Sequence, residues 1–147
     1  MVPTGQQRFT RVSDWHNFLK KLKKEEKVNL YKLRQNCYTE IEKLRERPLL
    51  VYAVKFPLPP LPLPVPVPIS IDLEDIDGFI DLADSIAAET KKIDVLIHSP
   101  GGSPEATERI VSVLRPRFEA VCAFSCEAEY SAATLLAFSG DEIILQP

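Results

Sequence analysis

Four residues in two short segments are placed to do chemistry together. Gly101 and Gly102 lie in IDVLIHSPGGSPEATERIV, and Ser131 and Ala132 lie in AVCAFSCEAEYSAATLLAFSGDEII. Each segment reads as a buried strand, a short turn and a helix. The glycines fall where a strand ends and a helix begins, so their amides can point outward and no Cβ holds a substrate backbone away. Ser131 falls at the start of the next helix, where first-turn amides, including that of Ala132, lack intrahelical acceptors. A carbonyl attacked by the Ser131 hydroxyl could direct its developing negative charge at the amides of Gly102 and Ala132. One such donor is worth about 3 kcal/mol in an acyl-transfer transition state. Either motif alone has a structural explanation, a packing turn or a helix cap. Their order along the chain is what points to a nucleophile beside an oxyanion pocket. The G-x-S-x-G elbow of ordinary α/β-hydrolases is absent.

These residues meet only if the strands carrying them are parallel neighbours. Consecutive strand–helix–strand units with right-handed crossovers give that arrangement and bring both turns to one carboxyl edge of a sheet. LLVYAV (Leu49 to Val54) is apolar without alternation and reads as a parallel strand buried on both faces. Asp72 or Asp75 begins a helix that buries Ile76, Phe79, Ile80, Ala83, Ile86 and Ala87, with carboxylates in its first turn. Ile93 to His98 is the next strand. Ser103 caps the following helix and Pro104 takes its first position; the helix runs to about Arg115 and is closed by Pro116. Ala120 to Ser125 is a third strand, Tyr130 to Phe138 a short helix, and Glu142 to Leu145 a fourth strand.

Upstream, Ser13 to Glu26 is a helical pattern with Trp15, Phe18, Leu19 and Leu22 on one stripe and KKLKKEEK at its wet end. Asn29 can cap a second helix whose apolar face is Leu30, Leu33, Cys37, Ile41 and Leu44, ended by Pro48. The expected organisation is an N-terminal helical segment over 1–47 and an α/β core over 48–147, interrupted by a proline-rich connector at 56–68. The connector is the longest uncharged stretch. Proline lacks the amide proton and fixes φ, which rules out a membrane helix or a central strand. It favours polyproline II, either as a spanning and packing segment or as a docking ligand or lid over a peptide channel.

The composition narrows the function classes. The 147 residues, 45% hydrophobic, suit one core, and a net charge of −3 lacks the basic face that nucleic-acid binding requires. Three cysteines without a signal-peptide pattern fit reduced thiols in a cytoplasmic protein. Cys122 and Cys126 on an extended segment lie roughly 13 Å apart, too far to share a zinc ion. Cys126 is then a buried small hydrophobe or a thiol near Ser131. No glycine fingerprint opens a first strand–helix unit, so no nicotinamide cofactor is expected, and no other cofactor or metal.

FIDLADSI, IDVLIHSPGGSPEATERIVSVLRPRF and SAATLLAFSGDEIIL resemble the serine dehydrogenase proteinase family, Clp-fold (Clp/crotonase-like) serine peptidases related to signal peptide peptidase A. The resemblance reaches back through YKLRQNCYTEIEKLRERPLLVYAV and so covers roughly Tyr31 to Leu145, with the proline run interrupting it. It implies a Clp/crotonase-like parallel sheet with covering helices, a serine nucleophile at Ser131 and oxyanion donors at Gly102 and Ala132. It also implies homo-oligomers acting on peptide or protein substrates. Tyr130 stands where the family usually carries Met or Lys, and Ser125 and Cys126 replace a hydrophobic–proline pair. The family continues beyond the fourth strand, and the resemblance places the general base in that continuation.

The residues themselves offer few bases. His16 belongs to the charged N-terminal helix, and His98 ends the strand before the glycine turn, where packing or a bond to a neighbouring strand is its ordinary role. Lys91 and Lys92 precede that strand at the opposite sheet edge. Lys55 has no further support. Two readings stay open: a serine peptidase whose base comes from further sequence or a neighbouring subunit, and a catalytically silent Clp-fold module used for assembly or peptide binding.

Overall fold

The computed structural model describes residues 11–24, 29–54 and 69–145, and the chain divides into two compact units, Met1–Leu44 and Arg45–Pro147. The proline-rich connector, Lys55 and the end of the lysine-rich run lie outside the described residues, as does the side chain of Cys126.

The first unit is helical. Helix α1 (Val12–Lys24) carries Trp15 and Phe18 in an edge-to-face pair with ring centroids 6.0 Å apart. Helix α2 (Leu30–Arg45) starts as its sequence dictates: Asn29 Oδ1 accepts the Lys32 amide proton at 3.0 Å. The apolar face expected for α2 is only partly covered. Leu33, Cys37 and Ile41 are half-buried, whereas Leu30 and Leu44 are exposed.

The second unit is a four-stranded, wholly parallel sheet in the order β1-β2-β3-β4, formed by β1 (Leu49–Ala53), β2 (Lys92–Ser99), β3 (Ala120–Glu129) and β4 (Glu142–Leu145). Three helices connect the strands: α3 (Asp75–Ser85), α4 (Pro104–Arg117) and α5 (Ala132–Phe138). Because the strand order never reverses, right-handed crossovers put all three on one face. On that face Ile93, Val95 and Ile97 of β2 pack with Phe79, Ala83, Ile110, Leu114, Leu136 and Ala137 in a single buried cluster. Sequence order thus becomes spatial order, and both candidate turns share the carboxyl edge of neighbouring strands.

Five expectations are corrected. Strand β1 lies at the sheet edge, so Leu50 is buried but Ala53 is exposed; an unbroken apolar run did not mean burial on both faces. Ile80 is 37% exposed, and helix α3 stops at Ser85, which leaves Ala87 beyond it. Helix α4 runs through Pro116 to Arg117; the proline gives up its own amide bond and crowds the carbonyl four residues earlier, a disruption confined to the last turn, and the helix ends one residue later. The helix after β3 begins at Ala132, not Tyr130. Strand β3 continues past Ser125 to Glu129. Ile97 pairs with Ser125 but Ser99 with Glu129, so the two-residue step on β2 is matched by four residues on β3. This bulge lifts the end of β3 to the level of the glycine turn.

The opposite sheet face carries a buried charge cluster. Asp94, fully buried, takes the Arg45 guanidinium at 2.9 and 3.3 Å and Arg47 at 3.4 Å, and its amide donates to Pro48 O. Arg45 also reaches Glu142 at 3.1 Å and lies 5.5 Å from the ring centre of Phe124. The hydrogen bond to Asp94 holds the Arg45 guanidinium firmly protonated. Loss of Asp94 would strand two cations here, which is the costly way to break a buried pair.

A second carboxylate closes the sheet. Asp141 accepts two bonds from Arg115 and the Val121 amide at 2.8 Å, while its own amide donates to Val121 O. Arg115, then the Val121 amide, pull its pKa from 3.8 to about 2. A carboxyl depressed by folding contributes stability above its unfolded pKa and loses it as pH falls through the folded value. Stability is therefore expected to fall between about pH 4 and pH 2, and Asp141→Asn is expected to flatten that limb when urea midpoints are compared across the range. An unchanged acid limb would mean the Arg115 pair does not form in solution.

Gly78 lies inside α3, and a Cβ built there meets nothing within 4 Å. Helix-interior glycine is penalised by backbone entropy, so Gly78→Ala is expected to raise stability by about 0.5–1 kcal/mol in urea unfolding. A loss would show that the position is less open than the structure has it.

Candidate functional site

Local chemistry builds the glycine turn. Ser103 ends it as N-cap of α4, its Oγ accepting the Ala106 amide at 3.2 Å with Pro104 just inside the helix. Gly101 has φ +99° and Gly102 φ +152°, backbone settings that L side chains rarely adopt. Buried Ser99 braces the start of the turn, its Oγ accepting the Gly101 amide at 3.2 Å. Ile71, 1% exposed, braces the other side as a one-residue parallel bridge: its amide donates to Gly101 O at 2.8 Å and its carbonyl accepts Ser103 N–H at 2.9 Å. Those bonds use Gly101 and Ser103, so the Gly102 amide and carbonyl project away from Ile71, and the amide has no acceptor among the described residues.

The serine turn is built differently. Tyr130 O accepts the Ala133 amide at 3.1 Å, and between them Ser131 has φ 53° and ψ −121°. These are the angles of the second residue of a type II′ turn, a position that favours glycine because a Cβ is crowded there. Although Ser131 is the N-cap of α5, its side chain makes no capping hydrogen bond, and the residue is exposed. Its hydroxyl is therefore not committed to the helix. The amide of Ala132, a fully buried residue, opens the first turn of α5 and has no acceptor among the described residues.

The two turns touch. A Cβ on Gly101 would lie 2.4 Å from Tyr130 O, 2.8 Å from Ser131 Cβ and 3.1 Å from Ala132 N. The Tyr130 amide approaches Ser99 O at 3.4 Å, and the Thr107 hydroxyl sits 3.1 Å from Ser103 O and 3.5 Å from Ala132 O. All four residues singled out from the sequence, Gly101, Gly102, Ser131 and Ala132, thus come together at one sheet edge. Ser99, Thr107 and Ile71 support them and were not anticipated. The Ser99–Gly101 and Thr107–Ser103 proximities are local, whereas the approach of Thr107 to Ala132 and the Ile71 bridge are set by tertiary packing.

The remaining candidates fall elsewhere. His98 alternates with Ser99 and so belongs to the sheet face of Asp94 and Leu96, opposite the helices. Lys91 pairs with Glu119 near the amino end of β2. Burial, followed by a hydrogen bond with Glu142, pushes the Cys122 thiol up to about 11, so it is neither a thiolate nucleophile nor a ready metal ligand at neutral pH. No cluster of three or more metal-ligating side chains occurs among the described residues, and no helix there is long and apolar enough to cross a membrane. A cavity of about 200 Å³ opens between β1 and α3, lined in part by Leu50, Tyr52, Asp75 and Phe79 and by none of the four singled-out residues.

No family model matches this chain, and no curated protein matches it. Among solved structures it matches the catalytic domain of the ClpP protease from Plasmodium falciparum, with 18% sequence identity and a TM-score of 0.48 over 70% of this chain. The chain spans about half of that structure, 51% of its length.

Proposed function

We propose that this chain is a serine peptidase-like hydrolase of the Clp/crotonase type, working in homo-oligomers on extended peptide segments. The observation that carries the reading is the backbone of Ser131: a strained, left-handed serine with an uncommitted hydroxyl, pressed against a glycine turn. Non-glycine residues persist in such conformations where the surroundings over-determine them, and catalytic turns are a common setting. The resemblance to the serine dehydrogenase proteinase family supports the same roles.

In this reading Ser131 Oγ attacks the scissile carbonyl, and the carbonyl oxygen takes up negative charge opposite the amides of Gly102 and Ala132. Gly101 lets the two turns close on each other. The Gly102 amide and carbonyl, turned away from Ile71, offer a strand-like edge to an extended peptide. The hydroxyl proton passes to a general base supplied by further sequence or by a neighbouring subunit, and later goes to the leaving amine.

A fluorophosphonate probe tests this, because it phosphonylates only an activated serine. Labelling of the wild-type protein that disappears in Ser131→Ala supports the hydrolase. A folded, oligomeric sample that takes no label sinks it and leaves the silent assembly module as the better description.

A further inference from the structure

We propose that Tyr52 and Asp75 form a positioning pair that holds the Gly101–Gly102–Ser103 turn in place. Tyr52 sits near the carboxyl end of β1, its ring 5.6 Å from that of Phe79, and its phenol donates to Asp75 Oδ2 at 2.9 Å. The same carboxylate oxygen accepts the amide of Asp72 at 2.9 Å, and the Asp75 amide returns a bond to Asp72 O at 3.1 Å. Asp72 directly follows Ile71, the residue whose amide and carbonyl clamp Gly101 and Ser103.

One side chain on β1 therefore anchors the Asp75–Asp72–Ile71 segment that flanks the turn. Burial and the neighbouring Asp75 raise the Tyr52 pKa, so the phenol remains a proton donor to Asp75 across the working pH range.

The turn needs such a support from outside. Ile71 follows the proline-rich connector and precedes α3, and its bridge to Gly102 involves one residue only. A single bridge has no ladder on either side to fix it. The Asp75 carboxylate supplies the missing restraint by fixing Asp72, the next residue, and Tyr52 fixes the carboxylate to the sheet. The catalytic meaning of the pair rests on the proposed role of Gly102 as an oxyanion donor, but the pair itself does not.

The test uses the whole chain with Tyr52→Phe, Asp75→Ala and Asp75→Asn, each shown to be folded. Asparagine keeps a carbonyl oxygen that can accept from both Tyr52 and Asp72, whereas alanine does not. In Tyr52→Phe and Asp75→Ala the Gly101 and Gly102 amide resonances are expected to shift, and the Ile71 and Ser103 amides to exchange about tenfold faster, the scale of one lost hydrogen bond. Val121 and Ala123, remote in β3, should be unaffected. Asp75→Asn should restore the wild-type pattern.

Fluorophosphonate labelling of the same variants should slow about tenfold at saturation in Tyr52→Phe, with the half-saturating probe concentration unchanged and Asp75→Asn close to wild type. Glycine amides that do not respond to Tyr52→Phe, or an Asp75→Asn protein that behaves like Asp75→Ala, would overturn the pair. Amides that respond as expected in a protein whose wild type takes no label would leave the pair standing and remove the hydrolase reading instead.

Discussion

Gly101→Ala is expected to cost several kcal/mol of stability and to disrupt the chain's carboxyl-edge turns before any question of activity arises. The added Cβ would sit 2.4 Å from Tyr130 O, 2.8 Å from Ser131 Cβ and 3.1 Å from Ala132 N. None of these atoms ends a flexible side chain, so relief requires moving the β3–α5 turn as a body. The residue would also hold φ near +99°, which costs an alanine about 1–3 kcal/mol, and overpacking adds about 1–3 kcal/mol more. A sum of about 2–6 kcal/mol is a large share of the 5–15 kcal/mol typical of a domain. Urea unfolding of Gly101→Ala beside Gly78→Ala checks this, because the two substitutions are chemically identical and differ only in what surrounds them. A Gly101→Ala protein within about 1 kcal/mol of wild type would mean that the two turns are not pressed together.

The contrast between those two glycines marks what the sequence could reveal. That Gly101 and Gly102 end a strand and precede a capped helix is local information, and SPGGSP spells it out through Ser103 and Pro104. Asn29 before α2 and the four-residue strand β4 are equally local. What Gly101 touches is not local. The contact with Tyr130 and Ser131 depends on β3 running to Glu129 with two extra residues opposite Ser99, and the polar Glu127 and Glu129 hide that extension from any apolar pattern. Strand β1 illustrates the same limit. Its composition resembles a central strand, but strand position follows from chain order and crossover handedness, which leave β1 at an edge.

Side-chain partnerships across long separations are the least legible. Tyr52 and Asp75 meet because Tyr52 faces the side of the sheet that α3 covers, and neither residue carries a signal that identifies the other. Asp94 is similar: a carboxylate in the middle of KIDVLIHS looks like an interruption of a buried strand. It is instead the acceptor for Arg45 and Arg47, which tie the segment preceding β1 to β2. A polar residue inside an apolar strand thus indicates that a partner exists without naming it.

Ser131 is where sequence and geometry part most usefully. The sequence places it at a helix start, an ordinary location for a serine cap, and a capping serine would be expected to lose about 1 kcal/mol of stability on change to alanine. The structure assigns it no capping bond and a φ of 53°. Two substitutions bear on these accounts. If the backbone strain is real, Ser131→Gly relieves it and is expected to be more stable than Ser131→Ala by about 1 kcal/mol in urea unfolding. A helix cap predicts the same order, since glycine caps almost as well as serine and alanine poorly. The unfolding curves alone therefore do not decide between cap and nucleophile, and activity must. Both variants remove the hydroxyl, so both are expected to lose fluorophosphonate labelling and to lower peptide turnover by about 10⁴–10⁶-fold. Ser131→Cys then supplies the discriminating measurement. It keeps a nucleophilic atom at the same place, and at a turn flanked by the Gly102 and Ala132 amides that atom should be alkylated by iodoacetamide markedly faster than a free thiol, because those amides favour the thiolate. A cysteine at Ser131 no more reactive than Cys37, the half-buried thiol whose pKa is raised by burial and by Glu40, would remove the electropositive pocket on which the hydrolase reading depends.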